Sequence, residues 1–135
     1  MKPQKIYKRK VFFIWSGVDG RDRDEIRAVV EKEKDAVIIA SLGTSSKGIN
    51  IKNLSNIVYV HPFKGQILTR QSIGRGLRIG SEKEKLTLYD IVDDLSYSTK
   101  KGVVKQNYAL KHFIERVGIY DKEEFFYKSY QIPMA

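Results

Sequence analysis

Four short runs of apolar and β-branched residues constrain the fold of this chain more than any other feature. They are residues 11–15, 36–40, 56–61 and 86–92. The second run, Ala36–Ala40, is apolar throughout, which is typical of a parallel strand covered on both faces. We therefore predict that each run forms a β-strand.

Segments with helical spacing lie between these strands. Ile26, Val29 and Val30 recur at helical spacing, with acidic residues before them and lysines after them, which predicts a helix over residues 22–34. A second helix is predicted over residues 66–77, where Ile67, Leu68, Ile73 and Leu77 would face inward. Strands that alternate with helices indicate an α/β fold with a parallel sheet flanked by helices. In such sheets ligands gather at the carboxyl ends of the strands.

The chain changes character after residue 95. Residues 96–102 are a polar connection, and residues 103–117 have apolar side chains at helical spacing. We expect the aromatic residues that follow, Phe125, Phe126 and Tyr127, to pack in the core of a C-terminal helical appendage rather than to form a base-stacking platform. The predicted division is therefore a domain over residues 1–95 and a helical extension over residues 96–135.

Composition limits the partners and the cofactors. The 135 residues carry a net charge of +9 and a pI near 9.7, which favours a polyanionic partner such as nucleic acid. There is no cysteine and there are only two histidines, so we predict neither a disulfide nor a metal site. No apolar run has the length of a membrane span, and the N-terminus lacks the apolar core of a signal peptide. We expect a cytoplasmic protein with no membrane partner.

The most informative motif is the segment from Gln71 to Arg78. Gln71, Arg75 and Arg78 are spaced so that they share one face of a helix, and Gly74 lets the backbone approach a ligand closely. A guanidinium is a planar group of hydrogen-bond donors that is always charged and matches phosphate oxygens. Two of them on one face suit a transferring phosphoryl group. A lone R-x-x-R would be interpreted as an ordinary basic helix face rather than as a phosphate-binding pair. The segment upstream favours the second interpretation.

That upstream segment is a loop rich in serine, threonine and glycine, which follows the strand at residues 36–40. Gly43 and Gly48 have the spacing of the two glycines in a phosphate-binding loop, but Ile49 and Asn50 stand where its lysine and its hydroxyl residue are required. Asp93 and Asp94 come too late for a Walker B motif and are interpreted as a turn at a strand end. We therefore predict that this chain alone does not hydrolyse ATP. Small hydroxyl side chains and backbone amides remain suited to gripping a nucleic-acid backbone.

A strand, a Ser/Thr/Gly loop, a second strand and then Q-x-x-G-R-x-x-R resemble motifs V and VI of the second RecA-like lobe of superfamily 2 helicases and translocases. Within that superfamily the chain is similar to the phage recombination and repair DNA helicases. The resemblance extends to residues 91–94 and 107–112. It implies that Arg78 is an arginine finger, that Arg75 is its companion at the γ-phosphate, and that Gln71 lies nearby.

The resemblance also implies the remaining site residues. Single-strand contacts fall on five residues of motif V and on one residue at the end of an earlier strand: Ser41, Thr44, Ser45, Ser46, Lys47 and Ser16. Gly48, Asn50 and Gly74 fall near the nucleotide, although many relatives have aspartate in place of Asn50. Neither set includes a metal ligand.

The family enzyme holds ATP and Mg²⁺ between two RecA-like lobes, and this chain resembles only the second. The resemblance implies that the first strand and helix of that lobe are lacking. The resemblance implies the C-terminal motor lobe of an ATP-dependent DNA helicase in recombination, repair or replication, whose partners are DNA and the N-terminal lobe. The alternative is a stand-alone, non-enzymatic nucleic-acid-binding or regulatory protein with the same fold. A lobe without its first strand would expose a sheet edge, from which we expect self-association.

Overall fold

The computed structural model describes residues 4–6, 8–41, 51, 54–64 and 86–133. In chain order the described elements are β1 (Gln4–Ile6), β2 (Arg9–Ile14), α1 (Gly20–Lys32), β3 (Ala36–Ala40), β4 (Asn56–Tyr59), β5 (Thr87–Asp90), β6 (Tyr97–Ser98), β7 (Val104–Lys105) and α2 (Tyr108–Lys122). All four predicted strands are present, each within a few residues of its predicted bounds. The helix predicted over residues 66–77 lies outside the described residues.

The strands β2 and β3 form the parallel pair that the sequence predicts. Phe12 lies opposite Ile38 and Ile14 opposite Ala40, so both strands end at the same edge of the sheet. The short strand β1 was not predicted, and it pairs antiparallel with the other side of β2. Because β2 is paired on both sides, it offers no open edge, and self-association through a sheet edge remains a prediction.

The strands β4 and β5 form a separate two-stranded sheet within the described residues. The amide of Thr87 donates to the carbonyl of Ser55 at 2.9 Å, and the amide of Ile91 donates to that of Tyr59 at 3.0 Å. The offset between donor and acceptor is the same in both bonds, as in a parallel pair. This pairing agrees with the predicted α/β class.

The hydrophobic core beside β2 joins the sheet to α1. Phe12 and Ile14 of β2 pack with Ile26 and Val30, which lie one helical turn apart, and with Ile51. Each of these side chains is at most 7% exposed, so their burial is the main local source of stability. Val29, which was also assigned to the apolar face, is 43% exposed because it lies beside the buried face rather than at its centre.

The helix α1 begins and ends two residues earlier than predicted. The side chain of Asp19 accepts a hydrogen bond of 3.3 Å from the amide of Arg21, and this cap fixes the start at Gly20. In the short connection between α1 and β3, Glu33 pairs with Lys10 and Asp35 pairs with Arg9. The pattern of charges identified the helix, but the capping residue sets its bounds.

The predicted C-terminal helix is present, but five residues later than expected. Val103 and Val104, which were assigned to it, lie in a β-hairpin formed by β6 and β7, and α2 starts at Tyr108. The prediction that Phe125, Phe126 and Tyr127 pack in a helical core was wrong for Phe126 and Tyr127, which are exposed, whereas Phe125 is half-buried. The helix ends at Lys122, Phe126 is 91% exposed, and Tyr127 donates a hydrogen bond of 2.8 Å from its hydroxyl to Asp121.

The chain divides into two compact units. One lies within Met1–Ile57 and Arg70–Leu88, and the other within Val58–Thr69 and Tyr89–Ala135. The first contains the sheet β1–β3 with α1, and the second contains the hairpin and α2. The division at residue 95 that was drawn from sequence character remains a prediction. Neither described helix has the length and apolar character needed to cross a membrane.

Candidate functional site

Two predicted nucleic-acid contacts, Ser16 and Ser41, lie among the described residues. Ser41 directly follows β3, and its amide donates to the carbonyl of Ile14 at 3.1 Å, which ties it to the last residue of β2. Ser16 lies two residues after the end of β2. Both residues are exposed, and both lie at the carboxyl ends of adjacent parallel strands, where α/β sheets bind their ligands. The structure therefore brings these two residues to one edge of the sheet.

The turn after β2 is shaped by a close contact between Trp15 and Gly17. The amide of Val18 donates to the carbonyl of Trp15 at 3.1 Å, which closes the turn. A Cβ atom on Gly17 would lie 2.7 Å from Nε1 of Trp15, closer than side-chain atoms approach one another. Glycine at this position thus lets the indole lie against the backbone beside Ser16. Trp15 itself is 47% exposed, so its ring is accessible at the same edge.

The remaining predicted site residues lie outside the described residues. They are Thr44, Ser45, Ser46 and Lys47 of the motif V loop, Gly48 and Asn50 near the expected nucleotide, and Gln71, Gly74, Arg75 and Arg78 of motif VI. The roles assigned to them stay predictions. Within the described residues no three histidine, aspartate or glutamate side chains come together as possible metal ligands.

A buried ion pair in the second unit was missed by the sequence reasoning. Arg116, on α2, is 1% exposed, and its Nε and Nη2 atoms donate to the two carboxylate oxygens of Asp90, each at 2.7 Å. Its Nη1 atom donates to the carbonyl of Phe63 at 2.8 Å, and its guanidinium lies 4.7 Å from the centre of the Phe63 ring. Each of the three guanidinium nitrogens thus donates a hydrogen bond, and the two to Asp90 have the bidentate geometry that makes arginine–carboxylate pairs strong.

Tyr120 completes this cluster one helical turn after Arg116. Its hydroxyl donates to Oδ2 of Asp90 at 2.7 Å. Burial raises the pKa of Tyr120 well above its ordinary value, and the hydrogen bond to the Asp90 carboxylate adds to the rise. Burial alone would lower the pKa of Arg116, but the hydrogen bonds and charge of Asp90 outweigh it and the pKa is raised. Because each charge is neutralised within the cluster, its effect is to fix α2 to the end of β5 rather than to carry out chemistry.

Asn107 makes a second connection between the strand end and α2. Its side-chain amide donates to the carbonyl of Asp93 at 2.9 Å, and its Oδ1 accepts from the amide of Leu95 at 3.2 Å. The amide of Ser96 donates to Oδ1 of Asp94 at 3.0 Å, which gives the turn that was predicted for this acidic pair. Asn107 occupies the N-cap position of α2, yet its side chain makes no capping bond to that helix. Its hydrogen bonds hold the preceding loop instead.

Comparison with solved structures defines the class of this fold. The C-terminal part of the Fun30 ATPase domain matches 88% of the chain and 41% of that structure, with a TM-score of 0.57 at 17% identity, which speaks for the fold alone. The crystal structure of T4 UvsW matches with a TM-score of 0.61 at 37% identity over 84% of the chain. The chain therefore has the RecA-like α/β fold of a C-terminal helicase lobe.

The particular relative is UvsW, the ATP-dependent DNA helicase of Enterobacteria phage T4. It is 38% identical to this chain over an alignment 123 residues long, which covers 87% of the chain. The chain is therefore a homologue of one part of that helicase. It spans only 24% of UvsW's length. No protein-family model matches the sequence.

Proposed function

We propose that this chain is the C-terminal motor lobe of an ATP-dependent DNA helicase or translocase that acts in recombination, repair or replication. The observation that carries the proposal is the similarity to a segment of T4 UvsW in both sequence and fold. The edge of the sheet where Ser16 and Ser41 lie supports it, because a lobe of this kind needs exposed polar groups at the carboxyl ends of its strands.

The nucleic-acid contact is assigned to Ser16 and Ser41 at this edge, together with Thr44, Ser45, Ser46 and Lys47. A seryl or threonyl hydroxyl donates to a phosphate oxygen without reading the base, and Lys47 adds a positive charge. Such contacts hold a strand of any sequence. This is the property that a motor needs in order to step along DNA.

The catalytic contribution is assigned to Arg75 and Arg78, with Gln71 beside them. ATP with Mg²⁺, bound mainly by a partner N-terminal lobe, would supply the phosphoryl group, and Gly48, Asn50 and Gly74 of this chain would adjoin it. A guanidinium at the γ-phosphate stabilises the charge of the transition state and is worth about 10³–10⁵ in rate. The chain alone lacks the loop that binds the phosphates, so it does not turn over ATP. We place this activity in the cytoplasm of the host cell.

The proposal is tested by exchanging the matched segment of T4 UvsW for this chain and measuring ATP turnover with and without single-stranded DNA. We expect the exchanged enzyme to hydrolyse ATP in a DNA-dependent manner and the isolated chain to be inactive. A correctly folded exchanged enzyme that binds DNA without hydrolysing ATP would contradict the proposal. That result would favour the alternative, a non-enzymatic nucleic-acid-binding or regulatory protein with a helicase-lobe fold.

A further inference from the structure

A short β-hairpin lies in the chain between β5 and α2. In its two strands Tyr97 lies opposite Lys105 and Ser98 opposite Val104. The turn is closed at Thr99, whose amide donates to the carbonyl of Val103 at 2.8 Å and whose carbonyl accepts from the amide of Gly102 at 2.9 Å. Gly102 has φ of +77°, a conformation that side chains disfavour, so glycine is needed at this position. The turn presents Lys100 and Lys101 at its tip.

Both ends of the hairpin are held by one side chain. Asn107 follows β7 and bonds back to the backbone of Asp93 and Leu95, which precede β6. The helix that starts after Asn107 is in turn fixed by the buried pair of Arg116 and Asp90. The hairpin is thus ordered before any ligand arrives, which lowers the entropy lost on binding.

The charged side chains of the hairpin and of the first turns of α2 are all positive. Residues 95–114 contain four lysines and no aspartate or glutamate, and the lysines are Lys100, Lys101, Lys105 and Lys111. All four are exposed. Residues paired across antiparallel strands lie on the same face of the sheet, so the ring of Tyr97 and the ammonium of Lys105 share a face. Tyr97 is 59% exposed, so a hydrophobic ring lies in solvent beside a positive charge.

We propose that this hairpin is a second contact for single-stranded nucleic acid, separate from the edge of the sheet at Ser16 and Ser41. The lysines bind the phosphate backbone, and the ring of Tyr97 stacks on an unpaired base. Exposed aromatic rings between basic side chains are how sequence-tolerant binders hold single strands. The inference deepens the proposed function, because it rests on that function for DNA as the polyanion and adds a second point where the lobe holds the strand.

The test measures binding of the chain to a fluorescein-labelled oligo(dT) of about 20 nucleotides, which exceeds the ~4–16 nucleotides that one single-strand-binding fold covers. Fluorescence anisotropy is recorded from 0.1 M to 1 M salt. Lys100→Ala/Lys101→Ala removes two phosphate contacts, so the slope of log K against log salt should fall by about 1.4. That change corresponds to about 25-fold weaker binding at 0.1 M salt and almost none at 1 M. Lys32→Ala/Lys34→Ala, which removes the same charge near the end of α1, should change the affinity much less.

A substitution of the ring separates stacking from charge. Tyr97→Leu should weaken binding to oligo(dT) about 5-fold or more with no change in the salt slope, and should leave binding to a blunt duplex unchanged. The inference is overturned if the wild-type chain does not bind oligo(dT), or if the tip variant binds like wild type. It is also overturned if the control variant loses as much affinity as the tip variant. Loss of binding to phosphatidylserine vesicles, with oligo(dT) binding intact, would assign the hairpin to a membrane surface instead.

The two proposals fail in different ways. If the exchanged UvsW enzyme hydrolyses ATP while the tip variant binds oligo(dT) like wild type, only the hairpin inference is wrong. If the tip variant loses binding as expected while the exchanged enzyme is inactive, only the proposed motor function is wrong.

Discussion

The buried pair of Arg116 and Asp90 gives the sharpest prediction about stability. Arg116→Met keeps the length and the apolar stem of the side chain but removes all three of its hydrogen bonds. Among the described residues, the carboxylate of Asp90, whose side chain is 7% exposed, would keep the bond from Tyr120 alone, and the carbonyl of Phe63 would lose the guanidinium donor. A buried charge left without its cation costs about 3–5 kcal/mol.

This loss is large compared with the stability of a domain, which is about 5–15 kcal/mol. For a chain of this size it corresponds to a fall in Tm of about 10–20 °C. The measurement is urea and thermal unfolding followed by circular dichroism. Arg27→Met is the matched control, because Arg27 forms a half-exposed pair with Glu31 at 3.4 Å on α1. Its removal should change the stability by about 0.5 kcal/mol or less.

A double variant distinguishes a lost pair from a lost side chain. Arg116→Met/Asp90→Leu removes both charges, so no carboxylate is left without a cation. We expect it to be more stable than the sum of the two single variants predicts, by about 2 kcal/mol or more. The reasoning is refuted if Arg116→Met unfolds within about 1 kcal/mol of wild type, or if the double variant equals the sum.

Two further predictions concern single side chains. Because the pKa of Tyr120 is raised in the folded protein, the stability that this group contributes is present below its unfolded pKa of about 10 and is lost as the pH rises above it. The free energy of unfolding should therefore fall less steeply above pH ~10 in Tyr120→Phe than in wild type or in the control Tyr97→Phe. Equal slopes of the free energy of unfolding against pH in all three proteins would contradict this. Gly17→Ala should displace the indole of Trp15, the one tryptophan of the chain, and so shift its fluorescence emission. Tm should change little, because the ring can move away from the added methyl group. An unchanged emission spectrum would argue against the close contact.

Local pattern predicted the strands well, since a continuous run of apolar residues favours a strand. The burial on both faces that was expected of β3 is not seen among the described residues, where Ile39 is 47% exposed. Ala36–Ala40 was predicted with the bounds that the structure shows, and its parallel neighbour β2 was placed correctly. The cap at Asp19 and the hairpin that takes Val103 and Val104 were not foreseen. Val103 and Val104 suit either a helix face or a strand. The turn at Gly102, which requires glycine, places them in the hairpin.

The sequence placed Ser16 and Ser41 after strand ends, where the structure has them, and their role as nucleic-acid contacts stays a prediction. A contact between distant residues was not visible in the sequence. The pair of Arg116 and Asp90 joins residues that are far apart in sequence, and its one sequence signal is an acid inside an apolar run. The burial predicted for Phe126 was wrong because the helix ends at Lys122, before this residue. An aromatic residue close to an apolar helix face indicates burial only if the helix continues to it.

The central claim is that Arg78 acts on a phosphoryl group in a two-lobed enzyme. Its most direct test is ATP turnover by T4 UvsW carrying this chain in place of its matched segment, with Arg78→Ala and, as control, the exposed Arg21→Ala. We predict that Arg78→Ala lowers turnover by about 10³-fold or more while binding to single-stranded DNA is kept, and that Arg21→Ala turns over ATP like the parent. Turnover by Arg78→Ala at the rate of the parent would contradict the claim.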